Sequence, residues 1–280
     1  MNTDKTMKQL QQPGISRRAA ILRLGKLGLL AGALGPAALR SLAAETKPEF
    51  KFIVVNDTHY MSEECGAYLA GLVKQMNGEG AALCLHAGDV TDLGKLEHEE
   101  AARGIFARLD MPFYCVPGNH DWLSQTDRSG YENIFPQQLN YSFAHGGWQF
   151  IALDTTEGQK FEQTTIQPAT FAALDGLLAK LEKSKPTVVF THFPLCENVN
   201  MRPLNAEELL AKFKGWNVRA VFSGHNHAFT ECERDGAPMT TNRCCALKRN
   251  NHDGSKEKGY FVCEAAAGKL TRRFVEYKPA

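Results

Sequence analysis

Five short polar motifs sit where hydrophobic runs end: Asp57-Thr58-His59, Gly88-Asp89-Val90-Thr91-Asp92, Gly118-Asn119-His120-Asp121, Thr191-His192 and Gly224-His225-Asn226-His227. Among them Asp57, Asp89, Asn119, His59, His192, His225 and His227 offer two carboxylates, one amide oxygen and four imidazoles. That donor set suits Mn, Fe, Zn or Co; Ca and Mg favour all-oxygen shells. No thiolate belongs to it, which argues against a structural zinc. Seven donors are too many for one ion with an open position and match two ions sharing one carboxylate. Two metals roughly 3.5–4 Å apart activate a bridging water and clamp both oxygens of an in-line displacement. Phosphoester hydrolysis is the chemistry such a centre serves, by attack of a metal-bridging hydroxide.

The elements that must carry these residues are legible in outline. Phe50 to Val55, Ala81 to Ala87, Pro112 to Val116, Trp148 to Leu153, Thr187 to Thr191 and Val218 to Ser223 read as strands. Ser62 to Asn77, Leu96 to Leu109 and Pro168 to Leu181 place apolar residues at helical spacing. After Gly224, Gly259 to Glu264 and Leu270 to Tyr277 read as a hairpin turning near Gly268. Strand-helix alternation followed by antiparallel strands gives an α/β class with mixed sheets and outer helices. Each motif follows a strand within a few residues, so loops leaving one edge would converge their polar side chains. Glu231 to Asp253 and Cys196 to Leu204 read as pocket-shaping loops. Their Arg202, Arg234, Arg243, Lys248 and Arg249 are each available to grip a phosphate or to be solvated.

The order D-x-H, GD-x-x-D, GNHD, H and G-H-x-H resembles the signature of the calcineurin-like metallophosphoesterases. Val116-Pro117-Gly118-Asn119-His120-Asp121, Tyr141-Ser142-Phe143, Phe150-Ile151-Ala152-Leu153-Asp154 and Thr187 to Pro194 resemble its class III cyclic nucleotide phosphodiesterase branch. The likeness covers roughly residues 50 to 230. It implies an α/β/β/α sandwich, two mixed β-sheets flanked by helices. It also implies that Asp57, His59 and His227 hold one metal, that Asn119, His192 and His225 hold the other, and that Asp89 bridges. His120 is then catalytic, stabilising charge on the phosphoryl group or protonating the leaving alkoxide. Asp92 supports a ligand, and Asp121 either orients the His120 ring or caps a helix. A catalytically silent metal-binding or scaffold protein of the same fold is the alternative. His86, His98, His145 and His252 lie outside the motifs and read as core or surface histidines.

Residues 1–43 differ in kind. Arg17, Arg18, Arg23 and Lys26 precede an uncharged apolar run, Leu27 to Leu39, and Ser41-Leu42-Ala43 offers a small-x-small cleavage pattern. The run is too short to span a bilayer. Ser16-Arg17-Arg18 resembles the core of a twin-arginine signal, although Ala20 and Leu22 depart from the usual pattern. The reading is a cleaved export signal over 1–43, a catalytic domain over 44–280, and a periplasmic or secreted product without a stable membrane anchor. A net charge of +1 gives no electrostatic footprint for nucleic acid. The expected partner is a small phosphoester, and the sequence fixes no oligomeric state. Outside the cytoplasm, glycerophosphodiesters, nucleotides or phosphomonoesters are more plausible substrates than cyclic AMP. Eight cysteines fall below the density of a disulfide scaffold. One or two bridges among Cys65, Cys196, Cys232, Cys244, Cys245 and Cys263 are compatible with an oxidising compartment.

Overall fold

The structure, a computed structural model, describes residues 49–279. The export signal read over 1–43 lies outside the described residues. Two sheets carry the domain. The first runs β11-β10-β1-β2-β3, with β1 at Phe50–Val55, β2 at Leu83–His86, β3 at Phe113–Cys115, β10 at Gly259–Ala266 and β11 at Lys269–Glu276. The second runs β4-β5-β6-β7-β9-β8, with β4 at Tyr141–His145, β5 at Trp148–Leu153, β6 at Thr187–Thr191, β7 at Val218–Ser223, β8 at Thr230–Arg234 and β9 at Ala237–Thr241. In the first sheet β1, β2 and β3 are parallel and the β10–β11 hairpin joins β1 antiparallel; in the second β5, β6, β7 and β9 are parallel, with β4 and β8 antiparallel at the edges, so both sheets are mixed.

Three apolar clusters make the layers. Phe52 and Val54 of β1 meet Phe150, Phe190 and Phe222 of the second sheet, forming the seam between the sheets. The Phe52 and Phe150 rings pack edge-on with centroids 5.5 Å apart. Ile53 and Val55, pointing the other way along the same strand, pack with Leu69, Leu72 and Phe106. Strand alternation thus divides β1 between two cores. Ile151, Val189 and Val221 face Leu174, Leu209 and Leu210 beneath the second sheet. The result is helix, sheet, sheet, helix, as the motif resemblance implied.

Helix α1 spans Glu63–Asn77 and starts where Ser62 Oγ accepts from Cys65 N at 3.4 Å. Glu63 and Glu64 in its first turn and Lys74 in its last complement the helix dipole. Helix α2 spans Leu96–Phe106 and buries Ala102, Ile105 and Phe106. Three short helices follow: α3 at Ser129–Ile134, α4 at Pro168–Leu178 with its proline in the first turn, and α5 at Ala206–Ala211. No helix among the described residues is long and apolar enough to cross a membrane.

Several expectations need correction. Strand β2 is four residues instead of seven and β3 three instead of five. Ala87 and Val116, read as strand ends, already turn into the site loops. Glu231 to Asp253 is not one loop, because its first half is the β8–β9 hairpin. Asp235 and Gly236 turn that hairpin with φ of 50° and 79°, both left-handed. An Asp-Gly pair is the local signal for such a turn. Thr230-Glu231-Cys232-Glu233-Arg234 obscured it, being polar and alternating between half-buried and exposed.

Candidate metal centre

The parallel strands of both sheets run in one direction, and the five motif loops leave their carboxyl ends together. Asp57 and His59 follow β1, Asp89 follows β2, and Asn119 follows β3. His192 follows β6, and His225 and His227 follow β7. All seven are buried. Two glycines make the convergence sterically possible. A Cβ at Gly118 would stand 2.0 Å from Asp89 Oδ1, and one at Gly88, where φ is +85°, would stand 2.5 Å from His192 Nδ1.

Five of the seven have left-handed backbone: Asp57 at φ 52°, His59 at 44°, Asp89 at 54°, His225 at 65° and His227 at 44°. Asp and His tolerate this region better than most residues, yet each instance still costs about 1–2 kcal/mol. Backbone hydrogen bonds hold the kinks. Asp57 N donates to Gly88 O at 2.9 Å, and Thr58 N and His59 N both donate to Asp89 O.

Each of the four imidazoles has one nitrogen on a fixed acceptor and the other turned inward. His192 Nδ1 lies 2.9 Å from Ala87 O, His225 Nε2 2.7 Å from Phe161 O, and His227 Nδ1 3.2 Å from Asn250 O. His59 Nδ1 lies 2.9 Å from Asp92 Oδ1. A carbonyl can only accept, so the nitrogen facing it carries the hydrogen and the inward nitrogen of a neutral ring presents a lone pair. The inward atoms meet in pairs: His59 Nε2 and His227 Nε2 are 3.2 Å apart, and His192 Nε2 and His225 Nδ1 are 3.1 Å apart. Lone pairs at that separation repel unless a cation or proton lies between them.

Carboxylates complete both pairs. Asp57 Oδ1 is 3.2 Å from His227 Nε2. Asp89 faces both ways, with Oδ2 3.5 Å from His59 Nε2 and Oδ1 3.4 Å from His192 Nε2. Asn119 Oδ1 is 3.2 Å from His192 Nε2. One group of inward atoms is therefore Asp57, His59, Asp89 and His227, and the other is Asp89, His192 and His225 with Asn119 beside them.

The electrostatics ask for positive charge at the same place. Burial opposes ionisation of Asp89, but His192 and His120 outweigh it and hold the carboxyl well below its ordinary value. Asp57 is also lowered against burial, chiefly by His227. Burial alone would depress His227 and His192. The Asp57 charge instead lifts His227 to about 11, and Asp89 lifts His192 to about 9. Burial and the neighbouring His192 press His225 down to about 3. The buried carboxylates thus call for positive charge where the ring nitrogens converge. Inward lone pairs, ring nitrogens anchored from behind and one carboxylate between two groups fit a pair of transition-metal ions.

His120 stands at the rim, half-buried. Its Nδ1 lies 3.0 Å from Asp92 O, so Nδ1 carries the hydrogen and Nε2 is the atom left for a substrate. Asp121 does not touch that ring. Its carboxylate accepts from Gly118 N at 2.8 Å, Thr91 N at 2.8 Å and Val90 N at 3.2 Å, tying the loop after β2 to the loop after β3. Burial and the Asp89 charge push the Asp121 carboxyl up to about 7, against those three donors.

Of the five cations in the variable loops, four pair with surface acids. Arg202 and Arg234 reach Glu207, Arg243 reaches Asp253 and Lys248 reaches Glu64. Arg249 alone among the five reaches the site, where it bonds Asp92 beside His120. Asn119, His120, Leu93, Gln159, Asp92 and Arg249 line one open cleft. Gln159 and the carbonyls of Phe161 and Asn250 carried no signal in the sequence, because main-chain acceptors can come from any residue type. His252 also belongs here, its ring stacked on that of His227 at 5.0 Å, whereas it reads as an isolated histidine in the sequence. His86 sits one layer back, its Nε2 3.0 Å from Thr58 Oγ1.

Comparison with known proteins agrees with this geometry. The model of a family described as calcineurin-like phosphoesterase matches residues 50–229. The chain is 26% identical over 213 residues to a glycerophosphodiester phosphodiesterase of Enterobacter lignolyticus, covering 67% of this chain and 74% of that protein. It is 29% identical over 150 residues to a 3',5'-cyclic-nucleotide phosphodiesterase of Nostoc, covering 52% and 55%. A dimetal phosphatase from Danio rerio has a similar structure, with a TM-score of 0.64 at 14% identity, covering 81% of this chain and 96% of that one.

Proposed function

Because the chain belongs to the calcineurin-like phosphoesterase family and is a metal-dependent phosphoric ester hydrolase, we propose that it hydrolyses small phosphodiesters outside the cytoplasm. The observation that carries the dinuclear reading is Asp89, which offers one carboxylate oxygen to each pair of inward-facing imidazoles. Asp57, His59, Asp89 and His227 would hold one ion, and Asp89, Asn119, His192 and His225 the other. Bound there, Mn, Fe or Zn ions supply Lewis acidity at the phosphoryl group and make water a competent nucleophile at neutral pH.

The protein's own groups do the rest. The carbonyls behind the rings hold each imidazole in one tautomer and one orientation. His120, fixed through Nδ1 on Asp92 O, presents Nε2 to the cleft. Protonated there, it gives its proton to the departing alkoxide. Leu93 and Gln159 line the cleft beside that transfer. Two of the named relatives are phosphodiesterases, which supports a diester substrate over a monoester.

The test uses the full chain and bis(p-nitrophenyl) phosphate. Hydrolysis should disappear with a chelator and return with Mn, Zn or Fe. A faster rate on p-nitrophenyl phosphate than on the diester would sink the diester assignment. Failure on both esters with two ions bound per chain would favour the catalytically silent alternative.

A further inference from the structure

Arg249 lies between β9 and β10 on a stretch that is itself built. Asn251 Oδ1 accepts from Cys244 N at 3.0 Å, and Asn251 Nδ2 donates to Ser255 O at 3.1 Å and Glu257 O at 2.9 Å. Lys258 Nζ donates to the Arg249 carbonyl at 2.6 Å. From this fixed backbone the guanidinium reaches Asp92 Oδ1, with Nε at 2.9 Å and Nη2 on the same oxygen. Nη2 also comes within 3.4 Å of His120 Nδ1. These contacts use one edge of the guanidinium and leave Nη1 uncommitted among the described residues. The side chain is 36% exposed, on the wall of the cleft that His120 and Asn119 share.

We propose that Arg249 is a substrate-binding residue whose Nη1 takes a non-bridging oxygen of the phosphoryl group. The assignment rests on the phosphoesterase reading and adds a specific contact to it. A guanidinium is a planar fork, so it can be anchored to a carboxylate by one edge while it donates to an oxyanion with the other. Asp92 provides that anchor and pre-orders the side chain, reducing the rotamer freedom lost on binding. A lysine has no second edge and could not make both contacts in this geometry. The same placement sets Arg249 beside the histidine that meets the leaving group, so the contacted phosphoryl oxygen lies next to the bond being broken.

The experiment compares the full chain with Arg249→Met, Arg249→Lys and the neighbouring control Lys248→Met, whose partner is Glu64 on α1. Three readouts are taken on metal-loaded protein: inorganic phosphate affinity by calorimetry, bound metal per chain, and kcat and KM on bis(p-nitrophenyl) phosphate. Loss of one charge-assisted hydrogen bond should weaken phosphate binding about 10- to 100-fold in Arg249→Met. The fall in kcat/KM should be carried mainly by KM, with partial recovery in Arg249→Lys. Lys248→Met should match the parent, which excludes a general charge effect. Phosphate affinity within about twofold of the parent in Arg249→Met would overturn the proposal. So would a loss of bound metal that tracks the loss of phosphate, since Arg249 would then only position Asp92 and His59. A parent protein that binds phosphate through Arg249 yet cleaves no ester would refute the phosphoesterase reading and leave the contact standing.

Discussion

Asp92 Oδ1 lies 2.9 Å from His59 Nδ1, the nitrogen opposite the one that meets His227. The same oxygen takes Arg249, so one carboxylate orients a candidate metal-ligand ring and a candidate substrate-binding cation. Burial opposes its ionisation, but the bonds from His59 and Arg249 keep it below the ordinary carboxylate range. Asp92→Asn keeps the shape and removes the charge. Groups that brace a metal ligand typically contribute about 10- to 100-fold in metal affinity or activity. The variant should therefore need correspondingly more Mn or Zn for half-maximal activity, measured by metal titration of the chelated protein. An unchanged metal dependence would remove Asp92 from this role.

His120 Nε2 is the proposed proton donor, facing the cleft while Nδ1 is held on Asp92 O. His120→Ala should lower kcat on bis(p-nitrophenyl) phosphate by about 10²- to 10⁴-fold, a usual range for general acid catalysis. Bound metal per chain should stay at the parental value, because His120 is not among the proposed ligands. Elemental analysis beside steady-state kinetics separates the outcomes. Retained turnover would refute the assigned role.

Glu99 on α2 is fully buried and accepts from Thr91 Oγ1 at 2.8 Å. Burial, with the Asp121 charge added, pushes its carboxyl up to about 10, so the folded protein holds a proton that the unfolded chain releases. For a raised group the stabilisation is complete below the unfolded value near 4.5 and fades as pH rises toward the folded one. Asp121, raised to about 7, adds a loss of the same sign at lower pH. Glu99→Gln removes the Glu99 contribution. Its melting temperature should gain on the parent as pH rises from about 6 to 9, with a limit of about 1.4 kcal/mol per pH unit. A constant difference across that range would show that Glu99 is ionised in the fold.

Cys196 and Cys232 form a disulfide that ties the loop after β6 to strand β8, with Cα atoms 6.0 Å apart. Such a bond supports the proposal that the protein works outside the cytoplasm. Non-reducing mass spectrometry of the purified protein should show these two residues linked and the buried Cys65, Cys84, Cys115, Cys244, Cys245 and Cys263 free. Replacing both linked residues by serine should lower stability by about 2–4 kcal/mol in a denaturant titration. Changing Arg17 and Arg18 together to lysine should keep the protein in the cytoplasm. Export of that variant at the parental level would sink the twin-arginine route.

The strands that hold the site were legible because their cores are dense. Phe50 to Val55 is apolar but for Lys51, Thr187 to Thr191 has an apolar centre between threonines, and a motif begins within a few residues of each end. The seven candidate ligands were legible because their types are unusual together. The second ring of contacts was not. Three of the four outer imidazole nitrogens rest on main-chain carbonyls, which any residue could supply. Nor did composition distinguish Arg249 from Arg202 or Arg243, since only the fold decides which arginine meets Asp92 and which meets a surface acid. Strand β4 left no clear strand pattern in the sequence, because Tyr141 to His145 is half-buried at a sheet edge.

The left-handed kinks at Asp57, His59, Asp89, His225 and His227 set the domain's evolutionary options as well as its geometry. Most surfaces of a folded protein drift under selection with little effect on either activity or durability. Here tension is concentrated in five positions that share one job. A library screened only for survival at high temperature should enrich glycine at those positions, and the survivors should have lost the centre. Lineages that needed greater heat tolerance while keeping the chemistry would have had to find it elsewhere, in the three cores and on the surface.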